Sequence, residues 1–428
     1  MRKKPRYIIW GIGGGQILAL ASSYYLPAVT ARQISTELEF PSYIIFGAFS
    51  VAIFINGILA PVAGHAIDRH GGRAVLCLSN LVIALCLVLI ATAHGVVSVV
   101  TGFLIMGVGM GLGTYDAAFA ALSAIFGKDA RRPISAVALI GGFAISVGWI
   151  STILLEDFLG WRGTCFMWAA LNIAVGLPIH WMLIPAGAAS EVAVARPGVA
   201  GGGQARAEPG SDADRRKNML LLAFVFAVTL TIGTGMAAHL PRILALAGAT
   251  PEGAILAIAA IGPAQVIVRA AELTLLSRMH PLTMSRLAAA LHPIGASAVM
   301  LLGGPAALVL TVLHGAGYGM LTIAKGTLPL ELFGAQGYGL RTGMLSVPGR
   351  FAQSAAPLVL GLLLDALGVQ ALAVTGALAL CSVAALFLIQ KPAKTGDVTA
   401  TDTNGLYPMP EERDLAHSEY RQRAGAGT

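Results

Sequence analysis

A dozen apolar runs, most of them about as long as a bilayer is thick when wound into a helix, follow one another along the chain with short polar breaks between them. A helix needs roughly 20 mostly apolar residues to cross the hydrocarbon layer. No water is present there, so every backbone polar group must be satisfied internally, by helices or by a closed barrel. The runs are too long and too continuous for barrel strands, which alternate between lipid-facing and lumen-facing residues. The expected fold class is therefore an all-α membrane protein. Its twelve expected spans cover 7–29, 43–64, 74–93, 95–118, 134–155, 163–184, 218–239, 252–277, 283–302, 305–328, 342–364 and 367–390. Only 11% of the 428 residues are charged, against about 25% in soluble domains.

Between the sixth and seventh runs, residues 185–217 are rich in Gly, Ala and Pro and close on D-A-D-R-R-K. Such a segment lacks the large apolar groups that build a core and reads as a flexible linker. It divides an N-terminal six-helix bundle, 1–184, from a C-terminal one, 218–391. The polar tail, 392–428, carries both signs of charge and is expected to be disordered.

An even number of spans puts both ends of the chain on one side. Arg2–Arg6, Arg69, Arg73, Lys128, Arg131, Arg132, Arg215–Lys217, Arg278, Arg286, Lys391 and Lys394 fall on the side of the N-terminus. The opposite loops hold Arg32, Arg162 and Arg242. The positive-inside rule then places both termini in the cytoplasm of a multi-pass protein of the cytoplasmic membrane. The net charge of +7 reads as basic loops facing anionic lipid, with no nucleic-acid partner. The apolar run from Tyr7 is long enough to be a first span and lacks a clear signal-peptidase site, so it is read as retained. Cys77, Cys86, Cys165 and Cys381 all lie in apolar runs without a C-x-x-C spacing. They read as buried, inert thiols, and no metal or cofactor is expected.

The two halves echo each other. L-L-E-D-F-L-G (154–160) returns as L-L-L-D-A-L-G (362–368), and Gly107, Gly109, Gly111 and Thr114 return as Gly315, Gly317, Gly319 and Thr322, both at an offset of 208 residues. Two echoes in one register indicate internal repeats, so the bundles are expected to be pseudo-symmetric.

Between the second and third runs the chain reads G-H-A-I-D-R-H-G-G-R (64–73), which gathers Asp68, Arg69 and Arg73 with Gly64, Gly71 and Gly72. Glycines permit close approach and sharp turns, and a carboxylate at Asp68 suits the free N–H groups of a neighbouring helix start. The spacing G-x-x-x-D-R-x-G-x-R resembles the loop between helices 2 and 3 of the major facilitator superfamily, where it acts as a cytoplasmic latch. Gly160-Trp161-Arg162 at the start of helix 6 is similar to a frequent signature of the same superfamily. Phe126, Arg131-Arg132, Ser135-Ala136 and Gly141-Gly142 resemble the helix 4–5 junction of its monocarboxylate-transporter-like and oxalate/formate-exchanger-like branches. Gly262-Pro263-x-Gln265-x-x-x-Arg269 resembles their helix 8, and Glu331–Gly334 through Tyr338-Gly339 their helix 10–11 connection. Some branch signatures are absent: helix 5 lacks the Gly-Pro pair of drug–proton antiporters, and the second latch is reduced to S-R-M-H-P-L (277–282). The resemblance implies two six-helix bundles about a polar midplane site, with helices 1, 4, 7 and 10 lining the cavity and helices 5, 8 and 11 bordering it.

An ionisable side chain at bilayer depth costs at least ~2.5 kcal/mol, so each one calls for a partner or a function. Arg269 sits near the middle of its span, and its guanidinium suits a bidentate clamp on a carboxylate. The resemblance gives it the role of substrate binding. Glu272, on the same helical face, reads either as its neutralising partner or as a proton carrier. Arg350 follows Ser346, Pro348 and Gly349 at the start of helix 11. There it either adds a second positive charge to the site beside a broken helix or reaches for the interface. Asp116 and Lys325 fall at corresponding depths near the latch-side ends of helices 4 and 10. They read as an interdomain ion pair or as solvated helix ends. His239 and His314 are candidates for coupling. Tyr24 and Tyr25 are interfacial anchors or, by the resemblance, cavity residues.

A positive balance among these groups favours an anion. The reading is a secondary transporter of a small, monocarboxylate-like organic anion, driven by a proton or a counter-anion and acting as a monomer in the lipid bilayer. Efflux of a toxic or signalling compound is the alternative, and a non-transporting membrane sensor a more distant one. With no H-E-x-x-H helix, no G-x-S-x-G elbow and no Walker A sequence, neither an enzyme nor an ATP-driven pump is expected.

Overall fold

The computed structural model describes residues 6–186 and 212–390. The basic residues Arg2, Lys3 and Lys4, most of the expected linker and the expected disordered tail lie outside the described residues. Span 1 comprises α1 (Tyr7–Ser22) and α2 (Leu26–Glu37), span 2 is α3 (Tyr43–His70) and span 3 is α4 (Gly72–Ala91). Span 4 is divided into α5 (Val96–Gly113) and α6 (Tyr115–Phe126), and span 5 begins with α7 (Arg131–Gly141). The rest of span 5 and the start of span 6 form α8 (Ala144–Leu171), and span 6 ends in α9 (Leu177–Leu183). Spans 7 to 12 are α10 (Asp212–Leu246), α11 (Pro251–Leu273), α12 (Pro281–Leu302), α13 (Ala307–Phe333), α14 (Tyr338–Leu367) and α15 (Ala371–Leu388).

Within α8 the chain turns back on itself. Gly160 has φ 65°, a left-handed value that only glycine adopts without strain. The Trp168 indole N–H donates to Thr152 Oγ1 at 3.1 Å, whereas 16 residues of straight helix would separate them by about 24 Å. Eight helical stretches are long and apolar enough to cross a membrane. One of these, Val96–Leu183, contains three crossings, Tyr338–Leu388 contains two, and the broken first span adds one more, which makes twelve.

Several helices outrun their expected spans. Span 1 continues to Glu37 through the polar stretch T-A-R-Q-I-S-T-E, which prolongs the helix beyond the hydrophobic layer at no desolvation cost, and span 4 continues to Phe126 through apolar residues that pack into the cluster joining the halves. Span 7 starts at Asp212, inside the stretch read as linker. Asp212 and Asp214 occupy its first turn, where negative charge opposes the positive end of the helix dipole. Cys77, Cys86 and Cys165 are buried, but Cys381 is exposed on the outer face, which corrects its reading as a buried thiol.

The repeat is a packing pattern. A side chain at Gly107 would strike Ala52 of α3, one at Gly109 Ile83 of α4, and one at Gly111 Leu59 of α3. In the second half, Gly315 faces Ile261 of α11, Gly317 faces Ala288 of α12, and Gly319 faces Gln265 of α11. Spans 4 and 10 thus make the same alternating contacts with the two spans before them. Gly160 and Gly368, which close the other echo, both have positive φ.

The halves meet at one end. The apolar cluster around Ile67, Leu76 and Phe119 in the first half takes in Ile323, Leu330 and Tyr338 from the second. The clusters toward the opposite end, around Phe103 and Trp168 and around Leu310 and Leu364, each stay within one half. The joined end carries the 64–73 turn and is called the latch end below.

Candidate functional site

Asp116 shows how a carboxylate comes to be buried in this fold. Thr114 has extended backbone angles, so span 4 breaks there and α6 begins afresh, with Asp116 in its first turn. The new helix N-terminus favours a negative charge, and the second half supplies two cations. Lys325 Nζ on α13 lies 2.7 Å from Asp116 Oδ1, and Arg350 Nη2 on α14 lies 3.2 Å from Oδ2. The Ser346 hydroxyl donates to Oδ1 at 3.0 Å. Asp116 and Lys325 are therefore buried partners and not solvated helix ends.

Arg350 stands well inside α14, which runs unbroken through Pro348. It is 7% exposed and does not reach for the interface, which corrects both its expected position and the expected helix break. It also donates to Gln353 Oε1 at 3.0 Å, and the Gln353 amide donates to Tyr24 Oη at 3.2 Å and to Thr234 Oγ1 at 2.9 Å. One polar chain thus runs from span 4 through span 11 to spans 1 and 7. Tyr24 and Tyr25 sit at the break between α1 and α2, and Tyr24 packs edge-on against Phe49. They are part of the junction, not interfacial anchors.

Arg269 is 3% exposed and reaches across to the first half. Span 5 breaks at 142–143, just past the end of α7. Arg269 Nη1 donates at 3.4 Å to Ala138 O, which also accepts from Gly142 N at 3.0 Å, and a side chain at Gly142 would collide with that guanidinium nitrogen. Its other bonds, to Gly319 O at 3.4 Å and Gln265 Oε1 at 3.3 Å, are equally long. Gln16 treats the break in span 4 in the same way, donating to Gly113 O at 2.6 Å. Tyr25, Tyr115 and Tyr318 surround Arg269 within electrostatic range.

Glu272 does not neutralise Arg269. It lies 3.8 Å from Arg131 Nη2 of α7, and its second oxygen is buried without a hydrogen-bond partner. The same Arg131 donates to Met279 O at 2.7 Å. Among the described residues no carboxylate pairs with Arg269.

The 64–73 turn holds the two halves together at the same end. α14 begins after Gly337, which has no side chain to cap it, and Asp68 of the first half fills that role. Gly339 N and Leu340 N donate to its two oxygens at 2.9 and 2.8 Å. Gly64 lies directly against the Gly339 carbonyl, an approach that no side chain would allow. Arg73 stacks on Trp181 at 4.2 Å, and Arg69 is exposed. His239 meets Pro357 O at 2.7 Å within the second half, and His314 lies buried against His292, away from the junction.

Ser346, Gln353, Tyr115 and Tyr318 escape a reading weighted toward ionisable groups. The signal for them was present, since uncharged polar residues inside apolar runs also need partners.

A family model described as Major Facilitator Superfamily matches residues 12–310. Two solved structures share the fold. The human organic anion transporter MFSD10 (TETRAN) is 18% identical, with 89% of this chain and 99% of that chain covered and a TM-score of 0.62. The proton:xylose symporter XylE, solved with 6-bromo-6-deoxy-D-glucose, is 12% identical, with 90% and 96% covered and a TM-score of 0.66. No curated protein matches significantly. With its multi-pass helical architecture and the family model covering most of the spans, the chain belongs to the major facilitator superfamily of small-solute transporters.

Proposed function

We propose that this protein moves a small organic anion, of the monocarboxylate class, across the cytoplasmic membrane by alternating access, coupled to protons or to exchange of a counter-anion. Arg269 carries the reading. Its guanidinium is buried at the junction of the halves, holds only long bonds to carbonyl and amide oxygens, and lacks a carboxylate partner among the described residues. A carboxylate from a solute would supply two short charge-assisted bonds in their place. Tyr25, Tyr115 and Tyr318 offer hydroxyl donors and apolar ring faces for the rest of a small molecule. The likeness to a protein called an organic anion transporter agrees with this reading.

In this arrangement Asp68, Asp116 and Glu272 each bridge the halves at the latch end. At the far end the ion pairs stay within one half: Arg162 with Glu37 at 3.2 Å, and Arg242 with Asp365 at 2.5 Å. The halves rock about the site, so that the latch-end pairs break when it opens on that side. The excess of Lys and Arg there supports placing the latch end, and both termini with it, in the cytoplasm.

Thermal stabilisation of the purified protein tests the substrate class. Benzoate, lactate, pyruvate and oxalate are compared with uncharged benzamide and lactamide. A carboxylate is expected to raise the melting temperature where its amide does not, and Arg269→Ala to abolish the difference. Equal stabilisation by the amides, or an unaffected Arg269→Ala variant, overturns the anion site.

A further inference from the structure

Away from the junction, spans 7, 9, 10 and 12 line a partly open cavity of about 30 Å³, enough for a water molecule. Two histidines meet on its wall. His314 of α13 and His292 of α12 place their Nδ1 atoms 3.1 Å apart, and His292 Nε2 lies 3.1 Å from Thr375 Oγ1 of α15. Across the cavity, Ser382 Oγ is buried with no hydrogen-bond partner. On its other side His314 stacks on Tyr318, with ring centroids 6.2 Å apart.

The protons of this cluster follow from donor and acceptor accounting. The Thr375 hydroxyl gives its one hydrogen to Leu372 O at 3.1 Å, so toward His292 its oxygen accepts and His292 Nε2 carries a hydrogen. A neutral His292 then has a bare Nδ1, and the short contact requires His314 Nδ1 to be the donor. That leaves His314 Nε2 with a lone pair, and this nitrogen is absent from the buried atoms that lack a partner. It is the one basic nitrogen of the pair not already used.

We propose that the His292–His314 pair is a proton-binding site of this protein, with His314 Nε2 taking the proton from water in the cavity. The step is a plain transfer: the Nε2 lone pair forms an N–H bond, the water O–H breaks, and the resulting hydroxide is reprotonated from bulk. The imidazolium then donates from both ring nitrogens, toward His292 Nδ1 and toward the cavity, where the Ser382 hydroxyl accepts directly or through water. No third His, Cys, Asp or Glu joins the pair among the described residues, so the ligand set suits a proton and falls short of a metal site. The titratable groups at the cavity are the two histidines and Tyr318. The charges on the packed helices lie elsewhere: Asp212, Asp214, Arg215, Arg216, Lys217 and Arg242 on α10, Glu252, Arg269 and Glu272 on α11, Arg286 on α12, Lys325 and Glu331 on α13, and Arg341, Arg350 and Asp365 on α14, with none on α15. His239 on α10 is held by Pro357 O.

Tyr318 joins this site to the junction, because its hydroxyl lies within electrostatic range of Arg269, Arg350, Tyr24 and Tyr115. If the anion reading holds, on which this extension rests, a proton here adds positive charge behind the anion site. Proton and anion then favour each other's binding, which is the linkage that symport requires.

Nitrogen-15 NMR of histidine-labelled protein in lipid nanodiscs tests the proposal without a transported solute. At alkaline pH the pair is expected to show opposite neutral tautomers, Nε2–H on His292 and Nδ1–H on His314. On acidification the His314 Nε2 resonance should move to the imidazolium position, and His314→Gln should remove that transition. The reverse tautomers, or a His314 Nε2 that stays unprotonated down to the pH at which the protein unfolds, overturns the site. A second measurement separates the two readings. With proteoliposomes holding a pH gradient, benzoate, lactate, pyruvate and oxalate are the probes. Failure of all four alongside a titrating His314 counts against the anion reading and leaves the proton site standing. Gradient-driven uptake that persists at full rate in His314→Gln overturns the coupling role.

Discussion

Among the helix pairs that join the halves, two crossings, α3 over α14 and α7 over α11, each set an arginine of the second half against a glycine of the first. Arg350 packs on Gly57, and Arg269 on Gly142. The crossings are related by the repeat, since the 208-residue offset that links the glycine series also links Gly142 to Arg350. Their electrostatics differ. Arg350 shares Asp116 with Lys325, so its charge is balanced within the protein. Arg269 is as deeply buried and has no such partner among the described residues. A buried charge that is paired holds a structure in place, whereas one left with weak bonds can be completed by something from outside. In this reading the α3/α14 crossing keeps the latch end shut and the α7/α11 crossing receives the solute.

The largest effect expected from breaking this contrast is at Asp116. Asp116→Asn leaves Lys325 and Arg350 buried without a counter-charge, which costs about 3–5 kcal/mol and is read as a sharp loss of thermal stability. Lys325→Met should be far milder, because Asp116 keeps Arg350. Equal losses in the two variants would mean that the carboxylate is not the centre of the cluster. At the other crossing, Arg269→Ala removes two charge-assisted bonds to the anion, roughly 3 kcal/mol or about a hundredfold in affinity. The folded protein should remain, because no carboxylate is stranded. Collapse of the fold instead would assign Arg269 to holding α7 and α11 together.

A steric change sharpens the contrast further. Gly64→Val drives a side chain into the Gly339 carbonyl, an overpacking penalty of about 1–3 kcal/mol that applies only while the latch end is closed. Spin labels on His70→Cys and Gln336→Cys should then report a longer distance across that end, and an unchanged distance would show that α3 and α14 separate elsewhere. The smallest effect belongs to Asp68→Asn. The amide still accepts one backbone hydrogen bond but loses the charge at the start of α14, worth about 0.5–1 kcal/mol. Transport is expected to slow a few-fold without any change in the order of preferred solutes. A changed order would move Asp68 from the latch to the site.

Much of the architecture was legible because membrane helices announce themselves. A run of about 20 apolar residues admits few alternatives to a spanning rod, and the glycines at 107, 109 and 111 repeat at 315, 317 and 319 because two pairs of neighbouring helices need the same close approach. The G-x-x-x-D-R turn was legible too, since its glycine and carboxylate serve one local purpose at a helix start. Pairings were legible only in part. The Asp116–Lys325 ion pair was one of two readings of their matching depths, and it forms. Glu272 stands three residues from Arg269, yet it points to Arg131, whose span packs against α11 from the other half. Arg350 joins Asp116 from 234 positions away, and His314 finds His292 on the preceding helix, neither of which the sequence announced. Periodicity along one helix says which face a side chain occupies, but the neighbour on that face is set by how twelve rods pack. The sequence by itself therefore determined the rods, their repeat and the 64–73 turn, while only the tertiary structure decided which buried charge is balanced and which has no carboxylate partner among the described residues.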